Sequence, residues 1–259
     1  FIMSSVPWII PYNPVNEANC LIAIQAGVGD TVSTGHGGYS DARVDSVYNQ
    51  VTNEVIIQST ASARAGYVMS GINGLPSYSF HGAQFYKSTS AAVLSALQNG
   101  GAVTVFYVCN AGTNRDQQGT LFSGGNSGFP GTRFRNWSYT NTSTGGYRYQ
   151  VSNNSGVADQ DEVTTSTDNN THIFEWFHTS STVSLNVDGT NRINGANNNP
   201  GSLTVDQWAI GALVLQSTVD FLTNTAQAAA WYVYSGTLDA TTRSRIRFYL
   251  GNRYGITVT

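Results

Sequence analysis

The sequence predicts an all-β fold, two layers of antiparallel sheet closed by one short C-terminal helix. Three observations carry this. Eleven short runs rich in β-branched and aromatic residues recur along the 259 residues. Residues that accept positive φ or pre-set a turn separate them. The tail then changes from strand chemistry to helical spacing. All-β sandwiches reach about 200–250 residues without dividing, so one domain is expected over residues 20–259, preceded by an N-terminal arm of residues 1–19.

In chain order the strand-like runs are Leu21–Ile24, Val55–Gln58, Tyr78–Phe80, Val103–Val108, Leu121–Ser123, Arg133–Trp137, Tyr147–Val151, His172–His178, Thr182–Val187, Ala209–Leu215 and Ala229–Tyr234. Turns fall at Asn73-Gly74, Asn99-Gly100-Gly101, Gly124-Gly125-Asn126, Gly145-Gly146 and Asp188-Gly189. Val105, Phe106 and Tyr107 lie in a near-continuous apolar run, which implies a central strand buried on both faces. Val183, Leu185 and Val187 alternate with Ser184, Asn186 and Asp188, which implies a half-solvated one. His172–His178 and Thr182–Val187, joined through Thr179-Ser180-Ser181, read as antiparallel neighbours followed by a tight turn. Ser88–Leu97 is a helix candidate with Val93, Leu94 and Leu97 on one side. At the tail, Trp231–Tyr234 suits a pleated surface. Leu238, Ile246, Tyr249, Leu250 and Tyr254 then fall near helical spacing behind an Asp239 cap.

Charged residues make up 10% of the chain against a usual value of about 25%, so neutral polar side chains supply the surface. A net charge of −3 leaves no basic footprint, which argues against nucleic acid as a partner. Lys87 is the one lysine, and Arg243, Arg245, Arg247 and Arg253 gather in the closing helix, where cations suit the dipole at its C-terminal end. No apolar run approaches the roughly 20 residues that cross a bilayer as a helix, so membrane insertion is not expected. Cys20 and Cys109 read as small buried hydrophobes, with a single disulfide as the alternative.

The order of several fragments resembles the concanavalin A-like lectin/glucanase jelly rolls, in the laminin-G-like form found in phage structural and bacterial surface proteins. The pieces are Gly71-Ile72-Asn73-Gly74-Leu75-Pro76 leading to Phe80-His81-Gly82, Leu121-Phe122-Ser123-Gly124-Gly125, Asn186-Val187-Asp188-Gly189, Ile210-Gly211-Ala212 and the strand-turn-helix tail. The resemblance implies a two-layer antiparallel jelly-roll sandwich. It also implies a structural module of a virion or bacterial surface. Such a module would be extracellular or on the virion, in contact with other subunits and repeated as a homo-oligomer, with cell-surface glycan as a further partner. The competing reading is a secreted carbohydrate-binding module, or a divergent glycan hydrolase or lyase.

Catalysis has no visible foothold. Retaining glycosidases on such a fold resemble one another in a strand bearing Glu-x-Asp-x-x-Glu, whose alternation directs two carboxylates into one cleft. That pattern is absent. Asp159-Gln160-Asp161-Glu162 reads as a solvated loop; weak calcium ligation through Asp159 and Asp161 is the alternative, and no other cofactor is implied. Glu175 shares a strand face with Phe177 while His172, Phe174, Trp176 and His178 take the other, so it lacks a partner acid. The two histidines, six positions apart on an extended strand, are roughly 20 Å apart and cannot share a metal. No enzyme is expected. For binding, Arg135, Asn136, Trp137 and Tyr139, with Tyr147 across a loop, combine amphipathic rings with amide and guanidinium groups suited to a sugar. The competing explanation is that Trp137 and Tyr149 are buried in the sandwich.

Overall fold

Strands that are apolar on both faces need cover on both sides, and the chain supplies it as three layers. The computed structural model describes residues 12–34, 42–98, 101–110, 119–128, 133–139, 146–152, 158–164, 170–197, 203–215, 218–220 and 224–259. Strands β1 (Cys20–Gln25), β2 (Thr31–Ser33), β3 (Arg43–Asn49), β4 (Glu54–Ile57), β5 (Gly66–Ile72), β6 (Leu75–His81) and β7 (Tyr86–Ser88) lead to helix α1 (Ala91–Leu97). Then come β8 (Val103–Asn110), β9 (Gly119–Gly125), β10 (Arg133–Tyr139), β11 (Gly146–Ser152), β12 (Ala158–Thr164), β13 (Thr171–His178), β14 (Thr182–Val187) and β15 (Thr190–Asn197). The chain closes with β16 (Gln207–Ile210), β17 (Leu213–Leu215), β18 (Thr218–Asp220), β19 (Asn224–Ser235) and helix α2 (Ala240–Tyr254).

The large sheet runs β15-β14-β13-β8-β19-β6-β5-β3-β2, with β1 added beside β19 and β4 beside β3. The small sheet runs β12-β11-β10-β9-β16-β7. All recorded pairings in both are antiparallel. Of the twelve residues of β19, the stretch Gln227–Ser235 pairs along one side with β8. On the other side, the first half pairs with β6 and the second half with β1.

Alternation along β8 explains the apolar run read from the sequence. Val103, Val105 and Tyr107 face the interior between the sheets, where they join Trp176, Trp231, Phe134, Tyr149 and Trp208. Phe106 and Val108 face the other way, into a second core with Ile173, Tyr232, Tyr234 and the α2 residues Ile246, Leu250 and Tyr254. Two buried indoles are hydrogen-bonded: Trp231 Nε1 donates across the layers to the Leu121 carbonyl of the small sheet at 3.1 Å, and Trp176 Nε1 donates within the large sheet to Tyr107 Oη at 2.8 Å. Asp239 caps α2 by accepting from the Thr242 N–H at 2.9 Å, as the sequence predicts. Asp188 and Gly189, at φ of 53° and 91°, make the tight turn between β14 and β15.

Several expectations need correction. Ala209–Leu215 is not one strand: Gly211, at φ 79°, divides it, and a Cβ there would meet Phe80 Cε1 at 2.5 Å. The outer face of β14 is not half-solvated, because Ser184 and Asn186 are buried, held by the Gly195 N–H and by Asn191. Asp159-Gln160-Asp161-Glu162 is strand β12 rather than a solvated loop, with Asp159 paired to Val151 and Asp161 to Tyr149 in the backbone ladder. Helix α1 starts at Ala91 because β7 claims Ser88. Cys20 and Cys109 are free thiols on β1 and β8, Cys109 buried as read from the sequence and Cys20 only half-buried.

Candidate binding surfaces

The structure gathers the five sequence-derived sugar-contact candidates on one hairpin of the small sheet. Arg135, Asn136, Trp137 and Tyr139 lie on β10 and Tyr147 on β11, with Ser138 opposite Tyr147 and Trp137 opposite Arg148. Their side chains, and those of Asp159 and Asp161, fall outside the described residues. The neighbouring Phe134 and Tyr149 are described, and both are core residues beside His178, at ring-centroid distances of 4.6 and 6.0 Å. For Tyr149 the buried reading is therefore the correct one.

Glu175 sits at the opposite side of the large sheet, beneath α2, fully buried. Arg243 Nη1 meets its Oε1 at 2.8 Å and Arg247 Nη1 meets Oε2 at 2.5 Å, so two arginines one helical turn apart share one carboxylate. Arg243 also lies over the Phe177 ring at 4.0 Å. This carboxylate holds a helix to a sheet and faces no cleft.

The other reactive side chains are equally committed. His178 lies in the inter-sheet core, where burial pushes its imidazole down to about 3 and keeps it neutral. His172 sits at the end of the same strand, its Nδ1 2.5 Å from Asp188 Oδ2, while Asp188 Oδ1 accepts the Ile173 N–H at 2.8 Å. Cys109 is opposite His172 in register, yet it is fully buried, and burial raises its thiol well above the ordinary value. A buried neutral thiol is a poor nucleophile. Among the described residues, no three His, Cys, Asp or Glu side chains converge to hold a metal.

A groove of about 590 Å³ lies between one flank of α2 and the segment entering the domain. Its described lining is Tyr12, Arg245, Phe248, Tyr249, Asn252 and Arg253. The helix residues recur at three- and four-residue intervals, which brings them onto one flank beside the core-facing Ile246 and Leu250. Segment Tyr12–Glu17 is fixed opposite by a short 3₁₀ turn over Pro14–Asn16, whose Pro14 carbonyl accepts from the buried Tyr234 hydroxyl at 3.1 Å. The Tyr12 and Tyr249 rings meet edge to face at 6.2 Å, and the Arg245 guanidinium lies 4.4 Å from the Tyr12 centroid and 3.5 Å from Glu17. Phe248 remains 51% exposed. A second groove, about 330 Å³, runs between β4 and β7 and is lined by Glu54, Lys87, Ser88 and Gln207 beside Val55 and Ile57. Sequence reasoning missed the first groove, because it assigned Tyr249 to the core and the arginines to the helix dipole. Phe248, an aromatic on the solvent flank of an otherwise amphipathic helix, was the available signal.

No protein-family model matches the chain, and no curated protein does. Among solved structures, it is similar to the binding domain of Paraclostridial Mosquitocidal Protein 1, with a TM-score of 0.60 and 8% identity over 93% of this chain and 53% of that one. The chain thus spans about half the length of that structure. It is similar to an arabinofuranosidase complexed with arabinofuranosyl-α-1,2-xylobiose, with a TM-score of 0.62 and 12% identity over 91% of this chain and 59% of that one. It is also similar to the Ruminococcus gnavus IT-sialidase CBM40 bound to α2,3-sialyllactose, with a TM-score of 0.52 and 13% identity over 64% of this chain and 92% of that one. At these identities the likeness is one of fold, a β-sandwich shared with carbohydrate-binding and receptor-binding domains.

Proposed function

We propose that the chain is a non-catalytic, glycan-attaching module of the concanavalin A-like, laminin-G type, working outside the cell. The observation that carries this reading is the α2 groove. Its size suits one or two sugar rings, and it combines aromatic faces with amide and guanidinium donors. Glycan recognition uses that pairing, with ring faces against C–H bonds and donors on hydroxyls. Similarity of fold to a CBM40 bound to sialyllactose and to a toxin's binding domain supports the same reading. The non-catalytic part rests on Glu175, which is consumed by two arginines, and on the burial of Cys109 and His178. Glycan-array binding paired with a turnover assay tests it. Retention of one glycan class without product, weakened by Phe248→Ala, is the expected result; released product would overturn the non-catalytic part. Loss on Trp137→Ala with Phe248→Ala silent would move the site to the β10–β11 hairpin.

The finer form of the proposal is a module displayed in several copies on a virion or bacterial surface. Its support is the sparse charge, which limits repulsion between crowded copies. Sedimentation of the chain and its parent particle would show multiple copies; a strict monomer on no particle would refute this form.

A further inference from the structure

We infer that the α2 groove selects sugars carrying an anionic group, a ring with a carboxylate or sulfate, over neutral ones. This rests on the reading of the groove as a glycan site and narrows it. Three of the four arginines on α2 already face a carboxylate. Arg243 and Arg247 share buried Glu175, and Arg245 reaches Glu17. Arg253 has no carboxylate partner among the described residues; its side chain is hydrogen-bonded with that of Tyr254. It lines the groove beside Tyr249 and Asn252, its guanidinium 5.7 Å from the Tyr254 ring.

The described lining holds two guanidinium groups and no acid. Guanidinium groups only donate, and beyond them the side chains offer one amide and two phenol hydroxyls. Such a wall is rich in donors and poor in acceptors. Each hydroxyl of a neutral sugar brings an O–H donor along with its two acceptor lone pairs, and this wall has few acceptors for those donors. A planar carboxylate or a sulfate presents acceptors alone and fits the fork of an arginine. Phe248 and Tyr249 then take the ring's apolar face. The smaller groove between β4 and β7 lacks this bias, because Glu54 and Lys87 line it together.

The test titrates the whole chain with lactose, 3′-sialyllactose and lactose 3′-sulfate, followed by calorimetry, for the unmodified chain and for Arg253→Gln and Phe248→Ala. Circular dichroism checks that each variant is folded. An anionic probe should bind at least about tenfold more tightly than lactose, about 1.4 kcal/mol. Added salt should weaken it, and Arg253→Gln should bring it to the lactose level. Response to one anionic probe alone would support the inference and name the group as carboxylate or sulfate. Equal affinity for all three sugars, weakened by Phe248→Ala and untouched by Arg253→Gln, would overturn the selectivity and leave the glycan reading standing. No binding that Phe248→Ala alters would overturn both. Should Arg253→Gln fail to fold, the ranking of the three sugars and its salt dependence decide the matter alone.

Discussion

Glu175 has no contact with water, and the charge it carries is met entirely by Arg243 and Arg247. Removing one member of such a buried set leaves uncompensated charge and costs about 3–5 kcal/mol. Glu175→Gln should therefore lower stability by that order, read from urea denaturation. A variant as stable as the parent would mean that α2 is held by its apolar face alone. Two other buried groups set the pH response. Burial raises Asp30 to about 6, even though its Oδ2 accepts from the Gly27 N–H and the Tyr78 hydroxyl, both at 2.8 Å. The native state thus keeps a proton that the unfolded chain has released, and this contribution falls as pH rises from about 4 to about 6. His178, lowered to about 3 by burial, has the reverse sign: the unfolded chain takes up a proton below about 6.5, so stability falls as pH drops. Between about pH 4 and 6 the two slopes oppose each other. Asp30→Asn keeps both acceptor contacts and should expose the histidine slope, giving melting temperatures that climb from pH 4 to 6.5 where the parent's stay nearly level. Parallel profiles for the two proteins would contradict this assignment.

Elements differ in how plainly the sequence announces them. Strands β8, β13 and β19 are legible because they serve the cores with long apolar runs, and β14 because Val183, Leu185 and Val187 alternate with polar residues. Strand β3 escaped notice because its outward positions are occupied by charge: Asp45 pairs with Arg64 at 2.6 Å and accepts from Ser33 Oγ at 2.6 Å. Strand β12 escaped for a similar reason, its acidic residues masking a backbone that is fully paired with β11. Nothing in the local composition distinguishes such an edge strand from a loop. The helix α2 was legible from its cap and its spacing, yet the groove on its flank was not. That groove exists only because Tyr12 is carried beside Tyr249 by the fold. The break between β16 and β17 offers a direct check. Gly211→Ala would force a Cβ against the Phe80 ring in a left-handed backbone, and should cost more than about 1 kcal/mol by denaturant titration. A neutral result would show that this turn relaxes freely.

At the level of the whole molecule, three layers rather than two account for the composition. The large sheet is covered on both faces, by the small sheet and by α2, so strands in its middle need almost no polar positions. No cross-link assists: Cys20 and Cys109 are free. Reducing agent should leave the melting temperature unchanged in a thermal scan, and a fall of several degrees would reveal a disulfide between them. The placement of β19 has a consequence for biogenesis. This strand lies between β8 on one side and β1 and β6 on the other, and its own partner β1 lies about 200 residues before it in the chain. A ribosome must therefore release the chain through Ser235 before the main sheet can close. Until then the earlier strands wait with open hydrogen-bonding edges, and a premature stop upstream of Asn224 would yield an aggregation-prone product for quality control to remove.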